Sequence, residues 1–268
     1  MLEIRNMTFG YSACPNLFEN VNLQVKKQET LAILGSNGVG KTSLLKCILG
    51  FIKAKSGAVY IDGIDAKKIS SKEFWHLVSY VPQAKQLNFS YSVLEMVLLG
   101  CASSLSFCGK PSNKEIKRAK DALEMVGIGH LIACKCNRIS GGELQLVLIA
   151  RAMVRAPEVI VLDEPESNLD INNQLLILKV LEELKKEKGV TTIINTHYPN
   201  HSLKIAEKSL VMGRDCKHEV GCTNEIITKE NMRKYFNVES QFFNVTAERK
   251  QWKKVFFADD IVEQRGAV

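Results

Sequence analysis

A chain of 268 residues can bury a sizeable core, and 46% apolar with 24% charged residues sets it among globular proteins, not disordered or fibrous ones. No run approaches the ~18 apolar residues of a membrane span, and the opening MLEIRNMTFGY lacks the basic-then-apolar layout of a secretion signal, so a cytoplasmic place is expected. The net charge of +7 is compatible with nucleic acid or an anionic membrane surface, but lysines scattered over solvated helix faces, such as Lys114 to Lys120 and Lys185 to Lys188, account for it more simply.

Residues 2 to 9 alternate apolar and polar as a half-buried strand does, and Val21 to Val25 repeats the pattern, which predicts one antiparallel layer. Tyr11, between them, has the setting of a base-stacking aromatic and equally that of a packed loop tyrosine. Leu31 to Leu34 is a buried-strand run that breaks into a glycine-punctuated loop and then a helix, the order of a phosphate-binding P-loop. Gly57 to Ile61 followed by Asp62-Gly63 reads as a strand entering a hairpin turn, and Leu77 to Val81 as a strand running into Pro82-Gln83. Composition then turns helical: Val93 to Leu99 is apolar, and Lys114 to Val126 sets Ile116, Ala119, Leu123 and Val126 on one face before Gly127. Ile139 to Glu143 opens a helix through Arg155, stopped by Pro157. Val159 to Leu162 and Val190 to Asn195 are continuous buried-strand runs, with an amphipathic helix, Asn172 to Lys188, between them. The alternation predicts a mostly parallel α/β core. The eight cysteines contain no C-x-x-C pair, so reduced packing residues are expected, not disulfides or zinc ligands.

The loop itself reads Gly35, Ser36, Asn37, Gly38, Val39, Gly40, Lys41, Thr42, Ser43. Its glycines let successive N–H groups point at the β- and γ-phosphates of a nucleotide, and the helix N-terminus adds partial positive charge. Lys41 would reach the β/γ oxygens and Thr42 would hold Mg²⁺. Asp163 and Glu164 end the run VIVL, and two adjacent carboxylates behind a buried strand are costly without a cation. Mg²⁺ with ATP supplies one. Asp163 would orient the metal, Glu164 would polarise the attacking water, and the Gln83 amide could reach metal or water. His197 and His201 have helix spacing for a metal, with Pro199 between them weakening that reading.

The P-loop, Gln83, Ser140-Gly141-Gly142-Glu143, Val159 to Pro165, Ser167 to Asp170 and His197 stand in the order of the ATP-binding-cassette ATPases, so the chain resembles one such cassette over residues 2 to 213. The resemblance implies an α/β P-loop NTPase core with an antiparallel β subdomain, a helical signature subdomain (about 85–155) and a C-terminal appendage (214–268) whose stretch Thr223 to Val238 is a small helical piece. It implies a head-to-tail homodimer in which Ser140, Gly141, Gly142 and Glu143 cap the γ-phosphate held by the other subunit. It further implies that Tyr11 stacks on the base, Gln83 couples the site to a partner, Asp170 communicates across the dimer and His197 contacts the γ-phosphate. Departures are Ile139 and Glu143 in the signature, Leu144 and Leu146 for arginines, Glu166 in a small-residue slot and Tyr198 for an aspartate; none removes a phosphate, metal or water ligand.

The expected function is therefore Mg²⁺-dependent ATP hydrolysis driving a separate membrane permease, on the inner face of the cell membrane, with a substrate-binding protein as indirect partner and no nucleic acid. Leu87 to Gly100 and Thr223 to Val238 resemble cassettes of iron-chelate, haem and cobalamin importers, although Cys101 stands where an arginine is common. Import of a bare zinc or manganese ion, or a soluble cassette acting on nucleic acid or ribosomes, is the alternative.

Overall fold

The computed structural model describes residues 1–12, 14–84, 90–104, 111–247 and 250–258. In chain order come strands β1 (Leu2–Tyr11), β2 (Cys14–Val25) and β3 (Thr30–Gly35), helix α1 (Lys41–Ile48), and strands β4 (Ser56–Ile61) and β5 (Ile64–Asp65). Helix α2 (Ser71–Leu77), strand β6 (Val78–Val81), helices α3 (Val93–Leu98), α4 (Asn113–Met125) and α5 (Gly141–Met153), strand β7 (Val159–Asp163) and helix α6 (Ile171–Lys188) follow. Then come β8 (Thr191–Asn195), α7 (Pro199–Ile205), β9 (Lys208–Met212), β10 (His218–Cys222), α8 (Thr223–Ile226), a helical turn over Lys229–Asn231 that widens into π-helix over Met232–Phe236, and strands β11 (Glu239–Ala247) and β12 (Lys250–Ala258). Residues 87–89 of the importer-like stretch, and 105–110 of the divergent loop after Cys101, lie outside the described residues.

Two compact units divide the chain: Met1–Lys68 together with the chain from Ile193 on, and Ile69–Thr192.

In the first unit β2, β1, β4 and β5 form an antiparallel sheet, with Leu2 paired to Val25 on one side and Ile61 on the other. Alternation sends Leu2 and Ile4 inward, slips by one residue at Asn6, whose φ of 49° accompanies a register shift, and resumes with Met7 and Phe9 buried. The second sheet of this unit sets β10, β9, β3 and the Ile193–Asn195 part of β8 side by side. All six residues of β3 are buried, and β3 runs parallel to β9, as a strand covered on both faces should. Strand β10 adds an antiparallel edge that the sequence pattern does not announce, since none of its residues is fully buried.

The tail carries the expected helical turns between Thr223 and Phe236, and β11 and β12 then add a hairpin, which the sequence reading did not foresee, in which Phe242 pairs with Val255. Its apolar residues make a cluster with the P-loop strand: Leu34, Val211, Ile227, Met232, Tyr235 and Val255 are buried together, with Leu203 and Phe242 packed against them.

In the second unit β6 runs parallel to β7, Val78 opposite Val159 and Val81 opposite Leu162. Helices α2, α3, α4 and α5 each begin with a serine whose side chain accepts from the backbone N–H three residues on, where a glutamate reaches back to the serine N–H. This reciprocal cap satisfies two otherwise orphaned donors per helix. Helix α6 ends on Gly189 in the left-handed conformation. Among the described cysteines none is in a disulfide, and burial alone pushes the Cys47 thiol up to about 12.

Candidate active site

In the first unit, β3 delivers the loop and Gly40 turns it into α1. Gly40 has φ 101°, and a Cβ there would stand 2.7 Å from Leu17 Cγ, so only glycine fits both the backbone and the contact. Lys41, 5% exposed, is folded back over the loop, its ammonium donating to the Gly35 carbonyl at 2.8 Å and the Ser36 carbonyl at 3.0 Å. The same Nζ lies 3.3 Å from His197 Nδ1. His197 reaches that place because the preceding Thr196 is buried and donates its N–H to the Ile33 carbonyl at 3.0 Å, which pins the end of β8 to the P-loop strand. Asn37 and Gly38 are exposed at the tip of the loop, and Val39 is buried beneath it.

Tyr11 ends β1 with its ring 47% exposed, edge-on to Phe9 at 4.8 Å, and its hydroxyl 3.1 Å from Ser43 Oγ. An exposed ring braced beside the loop has the form a stacking surface needs. His201 packs its ring on Tyr198, centroids 4.6 Å apart, and no group of three or more metal-ligating side chains is found among the described residues.

In the second unit, Asp163 closes β7 at 8% exposure, and the Tyr80 hydroxyl donates to it at 3.4 Å. Burial, together with the Asp163 charge, pushes the Tyr80 phenol up to about 12, so this donor keeps its proton. Glu164 takes a left-handed φ of 49°, a conformation that costs a non-glycine residue about 1–2 kcal/mol. Its Oε2 accepts from Ser167 Oγ at 3.1 Å, which holds the strained carboxylate from within its own turn.

Gln83 sits in a segment bracketed by one side chain of α5. Gln145 Oε1 accepts from the Ala84 N–H at 2.9 Å, and its Nε2 donates to the Pro82 carbonyl at 3.4 Å. Ser140 caps α5, accepting from the Glu143 N–H at 3.2 Å, while Glu143 Oε2 accepts from the Ser140 N–H at 2.7 Å and is held below the usual carboxylate range by those bonds. At Gly142 a Cβ would stand 2.3 Å from Asn173 Cγ, so the signature backbone lies directly on the first turn of α6; Gly141 has Leu169 as its neighbour. Asp170 caps α6 and fixes Asn173 by two bonds, from its N–H at 2.8 Å and its Nδ2 at 2.7 Å, which depress the Asp170 carboxyl.

The sequence model described as ABC transporter matches residues 18–167. The chain belongs to the ABC transporter family. The cassette is 33% identical to a molybdate import ATP-binding protein, MolC, of Haemophilus influenzae, over 96% of this chain and 94% of that one. It is 33% identical to a probable iron chelatin transport ATP-binding protein of Helicobacter pylori, over 79% of this chain and 86% of that one. Among solved structures, one described as an inward-facing conformation of a putative metal-chelate type ABC transporter superposes with TM-score 0.86 at 31% identity, over 97% of this chain and 98% of that chain. As a cassette of this family it binds and hydrolyses ATP.

Three residues of the cassette escaped the motif reading: Tyr80 on Asp163, Gln145 beside Gln83 and Asn173 under Gly142. Gln145 alone left a trace in sequence, a lone amide inside the apolar run from Leu144 to Ala150; it is 1% exposed. A buried amide needs partners for both ends.

Proposed function

We propose that the cassette is the energy-coupling subunit of an importer, hydrolysing ATP with Mg²⁺ and working as a head-to-tail homodimer on the inner face of the cell membrane against a separate permease. Lys41 and the loop N–H groups hold the β- and γ-phosphates, Tyr11 stacks on the base, and Ser140 with Gly142 closes on the γ-phosphate of the partner subunit. Glu164 orients and deprotonates the attacking water, and His197 contacts the γ-phosphate. Thr42, Asp163 and Gln83 offer hydroxyl, carboxylate and amide oxygens, a hard donor set that fits Mg²⁺, and the desolvation of Asp163 at the end of an apolar strand suits a site completed by a cation. When bound, Mg²⁺ would neutralise charge on the transferred phosphate. Among the described residues no helix is long and apolar enough to cross a membrane.

The cargo read best from this chain is an iron chelate or related metal complex. Likeness to the metal-chelate type transporter over nearly the whole of both chains, tail included, carries that reading. A second reading, an oxyanion such as molybdate, is favoured by the near full-length match to MolC. Deleting the gene and measuring uptake of labelled iron chelate, haem, cobalamin, molybdate and zinc decides among them. Loss of iron-chelate or haem uptake supports the first reading, loss of molybdate uptake the second, and normal uptake of all with altered efflux or translation overturns import.

A further inference from the structure

We infer that the C-terminal hairpin is a clasp that positions His197 over the phosphate loop, with Asn200 as the positioning residue that fastens it. Helix α7 begins at Pro199, two residues after His197, has seven residues, and starts without a side-chain cap. So short a helix has little hold of its own. Asn200, its second residue, supplies one: Asn200 Oδ1 accepts from the Val255 N–H at 2.9 Å and Asn200 Nδ2 donates to the Val255 carbonyl at 3.0 Å. Both ends of the amide engage one backbone residue of β12, which fixes the side chain and the turn that carries it. Val255 pairs with Phe242 across the hairpin, yet its N–H and carbonyl face outward to Asn200, so the amide covers the free edge of β12 as a further strand would.

The hairpin also packs on the strand that carries the loop of Lys41. Val255 is 2% exposed in the apolar cluster that contains Leu34, the residue before Gly35, and Tyr235. The Tyr235 carbonyl accepts from Ser36 Oγ of the loop at 3.1 Å, and the Tyr235 hydroxyl donates to Glu219 Oε1 at 3.0 Å. Leu203 of α7 packs on the same cluster. One hydrophobic knot thus ties the loop at Ser36 to α7 at Asn200, and the span it sets is the 3.3 Å between Lys41 Nζ and His197 Nδ1. Apart from Leu34 and the loop it carries, the residues of the knot lie outside residues 18–167, the part matched by the family model. Reaction geometry is sensitive to displacements of about 1 Å, which can cost roughly a hundredfold in rate, so a loosened Asn200 acts on turnover before it acts on binding.

This inference rests on the reading that His197 contacts the γ-phosphate, and the test separates the two. ATP hydrolysis and thermal unfolding are measured on the full chain for Asn200→Leu, Asn200→Gln, His197→Ala and the double variant His197→Ala with Asn200→Leu. The expected result is a kcat for Asn200→Leu reduced about tenfold with KM for ATP changed less than about twofold, the signature of an interaction made in the transition state. Asn200→Gln, which keeps both amide ends, should recover part of that loss. On the residual rate of His197→Ala, adding Asn200→Leu should cost little more, because the two act as one unit. A parental kcat in Asn200→Leu, a loss that follows unfolding temperature alone, or fully additive losses in the double variant overturns the clasp. If Asn200→Leu does not fold, Asn200→Ser carries the same readings. Parental turnover in His197→Ala overturns the site reading itself, whereas a crippled His197→Ala beside fully active Asn200 variants removes only the clasp.

Discussion

His197 stands with its Nδ1 3.3 Å from the ammonium of Lys41, although 156 residues separate them. The ammonium donates to the carbonyls of Gly35 and Ser36, and the imidazole nitrogen lies within hydrogen-bond distance of it. The ammonium is thereby aimed over the loop by groups that do not depend on a bound nucleotide.

Lys41→Ala should therefore abolish turnover, lowering kcat/KM for ATP by at least about a hundredfold, since removing a preorganised cation from developing charge costs about 3 kcal/mol or more. Steady-state hydrolysis with Mg²⁺ checks it. Unchanged activity would take the phosphate-binding role away from this loop.

For Glu164→Gln the shape of the side chain and its bond from Ser167 Oγ survive, while its affinity for a proton is lost. Turnover should drop by roughly a hundredfold or more with ATP binding retained, and the variant should collect as an ATP-bound dimer. Sizing chromatography in ATP and Mg²⁺ that finds only monomer counts against both Glu164 as base and the shared site.

Gln145→Leu keeps the volume of a buried side chain but withdraws the partner of the Ala84 N–H and the Pro82 carbonyl on either side of Gln83. Leaving such groups unpaired should destabilise the cassette by about 1–3 kcal/mol, read as a lowered denaturant midpoint. The concentration of Mg²⁺ giving half-maximal activity should rise as Gln83 loses its support. A midpoint and Mg²⁺ dependence equal to the parent's would show the bracket to be idle.

The tail should be acid-sensitive through Glu219. Bonds from Lys234, Asn231 and the Tyr235 hydroxyl hold its carboxyl below the ordinary 4.5. A carboxyl depressed on folding contributes stability in full above 4.5 and loses it as pH falls through the lower folded value. Amide protection factors in the β10 to Phe236 segment, taken against the intrinsic exchange rate at each pH, should thus fall below pH 4.5 in the parent, and Glu219→Gln should show lower protection at pH 7 with a flatter acid response. Identical profiles in the two proteins would remove Glu219 from the docking of the tail.

Much of the chemistry could be read along the chain because the chain itself sets the geometry. A loop of glycines before Lys41 and Thr42, serines three residues ahead of glutamates at four helix starts, and an apolar run ending in Asp163 and Glu164 are all local patterns, and a bond between residues three apart follows once the helix forms. The sequence also determined the antiparallel layer of β1 and β2, since alternation over eight residues has one buried face.

Only the tertiary structure decided which distant groups stand behind those motifs. Gln145 meets Ala84 across 61 positions and Asn200 meets Val255 across 55. No spacing rule predicts either. The hairpin was missed because its strands bury one face on a cluster supplied by β3 and β9, so their apolar residues have no meaning until those strands are in place. Motif residues carry chemistry that their own types disclose, whereas the residues that aim them are ordinary amides and hydroxyls. Their partners are chosen by packing, and packing is a property of the folded chain.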